Sequence, residues 1–186
     1  MIRGLSASLL IFIASGVLAG AQKDRVMGRL APVSDFPELP AGIAQDLTNR
    51  GCRIPQVKGV SKRHNIIRGE FEKPGQRDWA VLCVSKNISI IFVYWNGAAK
   101  NPAQLAPLDE TLTRSKNGYY RILRVVGEKF IRSHYAAYAD VDPVITGMAP
   151  LPAVLDHDGI DDGILEKGSS VHYLENGKWL KLAGSD

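Results

Sequence analysis

Apolar residues recur along the chain with two different periods. Between Pro40 and Arg50, Ile43 and Leu47 stand four apart, Pro40 suits a first helical turn and Gly51 a left-handed stop, so the spacing predicts a helix over 40–50. Asn65–Phe71, Trp79–Val84 and Ile88–Trp95 are instead dense in Ile, Val, Phe, Tyr and Trp and are separated by KPGQ and SKN turns. They predict three strands with short connections, hence an antiparallel meander. Residues 97–118 are polar and punctuated, which predicts a long loop with a single helical turn. Tyr119–Val126 predicts another strand. Lys129–Tyr138 carries Phe130, Ile131, His134, Tyr135 and Tyr138 at helical spacing and predicts a second helix. A proline-rich connection over 140–152 leads to a hairpin over 164–182, where VHYLE and KWLKL flank Asn176-Gly177, a dipeptide suited to a two-residue hairpin turn. Residues 22–36 show no sustained period and read as a lead-in to a single domain over 37–186. The expected class is α+β: an antiparallel meander sheet, two helices packed on one face and a C-terminal β-hairpin. Trp79, Trp95 and Trp179 fall in or beside strands and read as sheet packing rather than as a sugar-stacking platform.

Composition narrows the class. With 186 residues, 45% hydrophobic and 23% charged, the chain is too apolar for a disordered tail and too charged for a multi-span membrane protein. Its first 21 residues look like an export signal. Arg3 begins it, the 15 residues Leu5–Ala19 are apolar or small, and Ala19-Gly20-Ala21 offers a small-x-small cleavage site. The apolar run is shorter than the roughly 20 residues a spanning helix needs, so no stable membrane insertion is expected after cleavage. The chain is expected to be secreted or periplasmic. Of 23 Lys+Arg and 19 Asp+Glu, only Arg3 lies in that segment, and the small remaining excess gives no reason to expect nucleic acid. The densest basic stretch, Lys58–Arg68, is suited to an anionic envelope surface or is a solvated face. Cys52 and Cys83 are the only thiols, and an oxidising compartment makes them an expected disulfide.

Two segments share a shape. Gly69–Gly97 and Val154–Gly177 each have an acidic loop with a glycine, an aspartate, an apolar strand and a second strand ending in Asn-Gly. Both resemble degenerate copies of the FG-GAP/VCBS repeat of integrin-type propellers and many secreted bacterial proteins, whose loop follows D-x-[DN]-x-D-G-x-x-D. The first loop matches with Glu70, Glu72, Gly75 and Asp78, with Pro74 in place of the third ligand. The second matches with Asp156, Asp158, Gly159 and Asp162, with Val154 in place of the first. The chain as a whole resembles exported bacterial proteins with a GxFxxPGQxDWAVLC segment and a DHDGIDD ending. Calcium is the expected ion, since it takes 6–8 oxygens and Asp156, Asp158, Asp161 and Asp162 gather four carboxylates within seven residues. The alternative is that the Asp-Gly pairs simply make turns. Two copies are too few for a propeller.

Catalytic motifs are sparse. There is no G-x-S-x-G elbow, no H-E-x-x-H, no C-x-x-C and no phosphate-binding glycine loop. The leading expectation is therefore a non-catalytic exported module that binds a protein or an envelope component. One alternative is a small hydrolase using His157 with Asp158 and Glu166 or His172. The other is an inhibitor of a hydrolase that presents the 97–118 loop.

Overall fold

A computed structural model describes residues 28–113, 120–138, 141 and 147–185; the expected export signal lies outside them. The described residues form ten strands: β1 (Arg29–Pro32), β2 (Arg53–Gln56), β3 (Ile66–Gly69), β4 (Asp78–Ser85), β5 (Ile88–Tyr94), β6 (Ala103–Asp109), β7 (Arg121–Val126), β8 (Gly159–Ile164), β9 (Gly168–Glu175) and β10 (Lys178–Ala183). Helix α1 is Ala41–Asn49, α2 the single turn Glu110–Thr113 and α3 Glu128–Ala136. All pairings are antiparallel. One sheet runs β1-β2-β4-β5-β6, with β3 also beside β4, and the other runs β10-β9-β8-β7.

The α+β class, the antiparallel strands and the C-terminal hairpin are as the sequence predicts. The strands nevertheless divide into two sheets, and each sheet takes one helix. The alternation of β4 and β5 explains this. Val81, Cys83, Phe92 and Tyr94 point outward and bury Ile43 and Leu47 of α1. Ala80, Leu82, Ile91 and Val93 point inward, where they meet Leu123 and Ile160 of the second sheet. Beyond that sheet, Val126, Val171, Tyr173 and Leu182 receive Ile131 of α3. Both faces of both sheets are thus covered, and each buried aliphatic side chain stabilises by about 1.5–3 kcal/mol. Among the described residues no helix is long and apolar enough to cross a membrane.

Of the expected lead-in, residues 22–27 lie outside the described residues; Ala31, Val33 and Phe36 are buried with α1, and β1 pairs with β2. The expected 97–118 loop contains β6 and α2; its residues 114–118, and Tyr119 of the next expected strand, lie outside the described residues. Asn176 and Gly177 both have positive φ (50° and 75°), as the two-residue hairpin turn requires. Cys52 and Cys83 form the expected disulfide, their Cα atoms 5.3 Å apart. It ties the end of α1 to the middle of β4 across 31 residues of sequence, a closure that stabilises by about 3–4 kcal/mol through chain entropy.

The Asn65 side chain helps couple the sheets. Asn65 is fully buried, with φ 67°. Its amide nitrogen donates to the Pro55 carbonyl (2.8 Å) and the Arg121 carbonyl (3.0 Å), and its oxygen accepts from the Leu123 N–H (2.9 Å). Residues 121 and 123 direct these backbone groups away from β8, so the Asn65 amide does for the outer edge of β7 what a further strand would do.

Candidate functional site

The acidic run from 154 to 163, expected as a cup of oxygen ligands, is half loop and half strand. Asp161 and Asp162 lie within β8, where successive side chains point to opposite faces. Asp162 turns inward and receives Arg121 Nε and Nη2, each at 2.7 Å. Asp161 turns outward and is fully buried, with one oxygen 2.9 Å from Arg124 Nε. Asp158 accepts the Glu70 N–H at 3.0 Å, and Asp156, more than half exposed, lies 3.4 Å from the Tyr173 hydroxyl. The four carboxylates therefore share no focus, and among the described residues no group of three or more His, Cys, Asp or Glu side chains is placed to hold a metal.

In the first acidic loop, the Asp78 carboxylate accepts the N–H groups of Phe71 (3.0 Å), Glu72 (3.2 Å) and Asn96 (2.8 Å). Glu70 accepts the Gly75 N–H at 3.0 Å. Between Glu72 and Asp78 stands the Gln76 amide, 2.6 and 2.9 Å from their oxygens. The two acidic loops touch: Asp158 N–H donates to the Glu70 carbonyl at 2.9 Å, and Asp158 Oδ2 accepts in return. A Cβ on Gly69 would stand 3.0 Å from that oxygen and 2.7 Å from the Phe71 ring, so only glycine permits this approach.

The expected hydrolase constellation is not assembled. His157 is nearly buried and stacks on Tyr173 with ring centroids 4.2 Å apart. Its Nε2 lies 2.8 Å from the Leu174 carbonyl and its Nδ1 3.1 Å from the Asp158 carbonyl. Glu166 is in the β8–β9 turn, at the far end of a strand about 20 Å long.

What the structure does bring together is a cluster that sequence reasoning did not single out. Between β6 and the inner face of β8, β9 and β10 lies a cavity of about 510 Å³. Arg121, 2% exposed, projects from the first position of β7 into its wall. Besides its two bonds to Asp162, it donates to Ser89 Oγ (2.7 Å) and to the Ala106 carbonyl (2.9 Å). His172 Nε2 lies 3.4 Å from the same Asp162 oxygen. Ser169, Ser170, Lys167 and Lys181 complete the polar lining. Burial pushes the Asp162 carboxyl up, but the hydrogen bonds from Arg121 and His172 and their field outweigh it and hold it below the ordinary carboxylate range. Ala106 holds φ 46° at a break in the β5–β6 register, a strained backbone for a residue with a Cβ. The available sequence signal was the alternation of Arg121 with Leu123, which places an arginine on the inward face of a strand.

A larger cavity, about 690 Å³, runs along the basic loop and is bounded by Arg29, Lys58, Lys62 and Arg63. Its walls are mostly exposed side chains. The cavity beside Arg121 is backed by the mutually bonded and largely buried Arg121, Asp162 and His172 and is the better-built site. No protein-family model matches the chain, and neither a curated protein nor a solved structure shows detectable similarity to it.

Proposed function

We propose that the chain is an exported, non-catalytic binding module, secreted or periplasmic, built on a degenerate pair of FG-GAP/VCBS-like repeats. The observation that carries this reading is that the chain itself engages both ring nitrogens of His157, the candidate base, and of His64. His157 faces two backbone carbonyls. His64 accepts from the Val57 N–H at 2.7 Å, and its Nδ1 lies 2.9 Å from the Lys62 carbonyl. A general base needs a ring nitrogen free to meet its substrate, and only His134 and His172 have a single ring nitrogen so engaged. Contact between the acidic loops supports the repeat pair, and the disulfide fits an oxidising compartment. An envelope component is a suitable partner for the cationic loop over Lys58–Arg63.

A second reading, hydrolysis, is favoured by one feature only: His172 beside Asp162 in a cavity that also holds Ser170. Chromogenic ester, phosphate, glycoside and peptide substrates separate the two. The module reading expects no turnover above a buffer control. Turnover that disappears in His172→Ala or His157→Ala, at unchanged melting temperature, overturns it.

A further inference from the structure

We infer that the cavity between β6 and the β8–β10 face binds a small oxyanion, the carboxylate or phosphate group of a low-molecular-weight ligand. The inference rests on the module reading and names its ligand class. Its first support is charge. The titratable side chains lining the cavity are Arg121, Lys167, Lys181 and His172 against the single carboxylate of Asp162, toward which His172 Nε2 is turned. Asp162 is already met by the Nε–Nη2 edge of the Arg121 guanidinium, so the lysines at the mouth have no carboxylate of their own within the cavity.

Its second support is rigidity. A guanidinium has five N–H donors, and four are fixed here on Asp162, Ser89 and the Ala106 carbonyl. Arg121, paired with Asp162, therefore serves as a fixed, buried wall, and the excess positive charge lies on the Lys167 and Lys181 ammonium groups, the mobile donors at the mouth. Ser170 and His172 alternate on the inner face of β9, opposite Asp162 and Ile160, and aim a hydroxyl and a ring edge into the same space. Third is strain. The wall opposite β9 is the register break at Ala106 and Pro107, which interrupts regular β5–β6 pairing beside the cavity. A volume of about 510 Å³ admits a molecule of metabolite size rather than a bare ion alone.

Nitrogen-15 amide spectra of the exported chain, titrated separately with inorganic phosphate and with succinate, test the inference. Saturable shifts confined to amides of 167–172 and 181, half-complete at millimolar probe, are expected for at least one of the two. The arm that saturates identifies the phosphate or the carboxylate source. Lys181→Ala and Lys167→Ala replace exposed side chains, so the fold is retained, and each is expected to weaken binding about tenfold, as loss of one charge-assisted hydrogen bond does. Lys62→Ala, on the basic loop outside the cavity lining, is expected to change nothing. Shifts that never saturate, that spread along 58–68, or that survive both lysine variants overturn the inference. Failure here leaves the module reading in place, because turnover decides that reading and anion binding does not.

Discussion

Removal of the Asn65 side chain tests whether one amide joins the two sheets. In Asn65→Gly the backbone keeps its left-handed freedom, so only the hydrogen bonds are lost. Two backbone groups are left unpaired, the Arg121 carbonyl and the Leu123 N–H, while the Pro55 carbonyl keeps the Gln56 side-chain amide at 3.0 Å. A buried group left unpaired costs about 1–3 kcal/mol, and a water entering the vacated space recovers part of it, so the expected loss is about 2–4 kcal/mol. Asn65→Ala adds about 1 kcal/mol for a Cβ at φ 67°. Urea denaturation followed by tryptophan fluorescence measures both variants, and Asn101→Gly is the comparator, because Asn101 is exposed at φ 47°. Asn101→Gly is expected to lie within about 0.5 kcal/mol of wild type. Hydrogen exchange localises the effect: the Leu123 amide should lose protection before the amides of β4 and β5. A loss in Asn65→Gly no larger than in Asn101→Gly would refute the claim that this amide secures the edge of β7.

Arg121→Met alone strands the buried Asp162 and is expected to cost about 3–5 kcal/mol, whereas Arg121→Met with Asp162→Leu recovers most of it; a double variant as unstable as the single one contradicts this, by the same denaturation assay. Burial lowers His64 below its ordinary value against the raising effect of the Lys62 carbonyl. The unfolded chain then takes the proton first, so melting temperature should begin to fall as pH drops through about 6.5, until pH reaches the lowered folded value. His64→Gln should lack that step, while the Asp162 contribution, from a carboxyl held low, disappears only below pH about 4 in both proteins. Millimolar Ca²⁺ is expected to leave the melting temperature of chelator-treated protein unchanged, since Asp158, Asp161 and Asp162 are already met by a backbone N–H, Arg124 and Arg121; a saturable rise would restore the calcium cup.

Strong local patterns survived into the structure with little change. The 40–50 and 129–138 helices, the β4–β5 pair and the Asn176-Gly177 hairpin all rest on periodicity or turn chemistry that neighbours a few residues apart enforce. β1, β2, β6 and β8 escaped detection, for separate reasons. β2 is four residues with Pro55 inside it, and β6 holds Pro107 and the left-handed Ala106. β8 reads Gly-Ile-Asp-Asp-Gly-Ile, a turn by composition. It becomes a strand because Arg121 and Arg124 on β7 meet its two aspartates from opposite faces, and because Gly159 leaves room for Ile131 and Val171.

The site divides in the same way. Sequence alone determined the class, the single disulfide and the absence of recognised catalytic motifs, because each depends on residue type or short spacing. Only tertiary structure decided that the inward face of β7 would carry a buried guanidinium, that Asp162 would answer it rather than join Asp156 and Asp158, and that β6 would break register beside them. These are contacts between residues tens of positions apart, and their energies depend on burial that exists only once the two sheets have closed on each other.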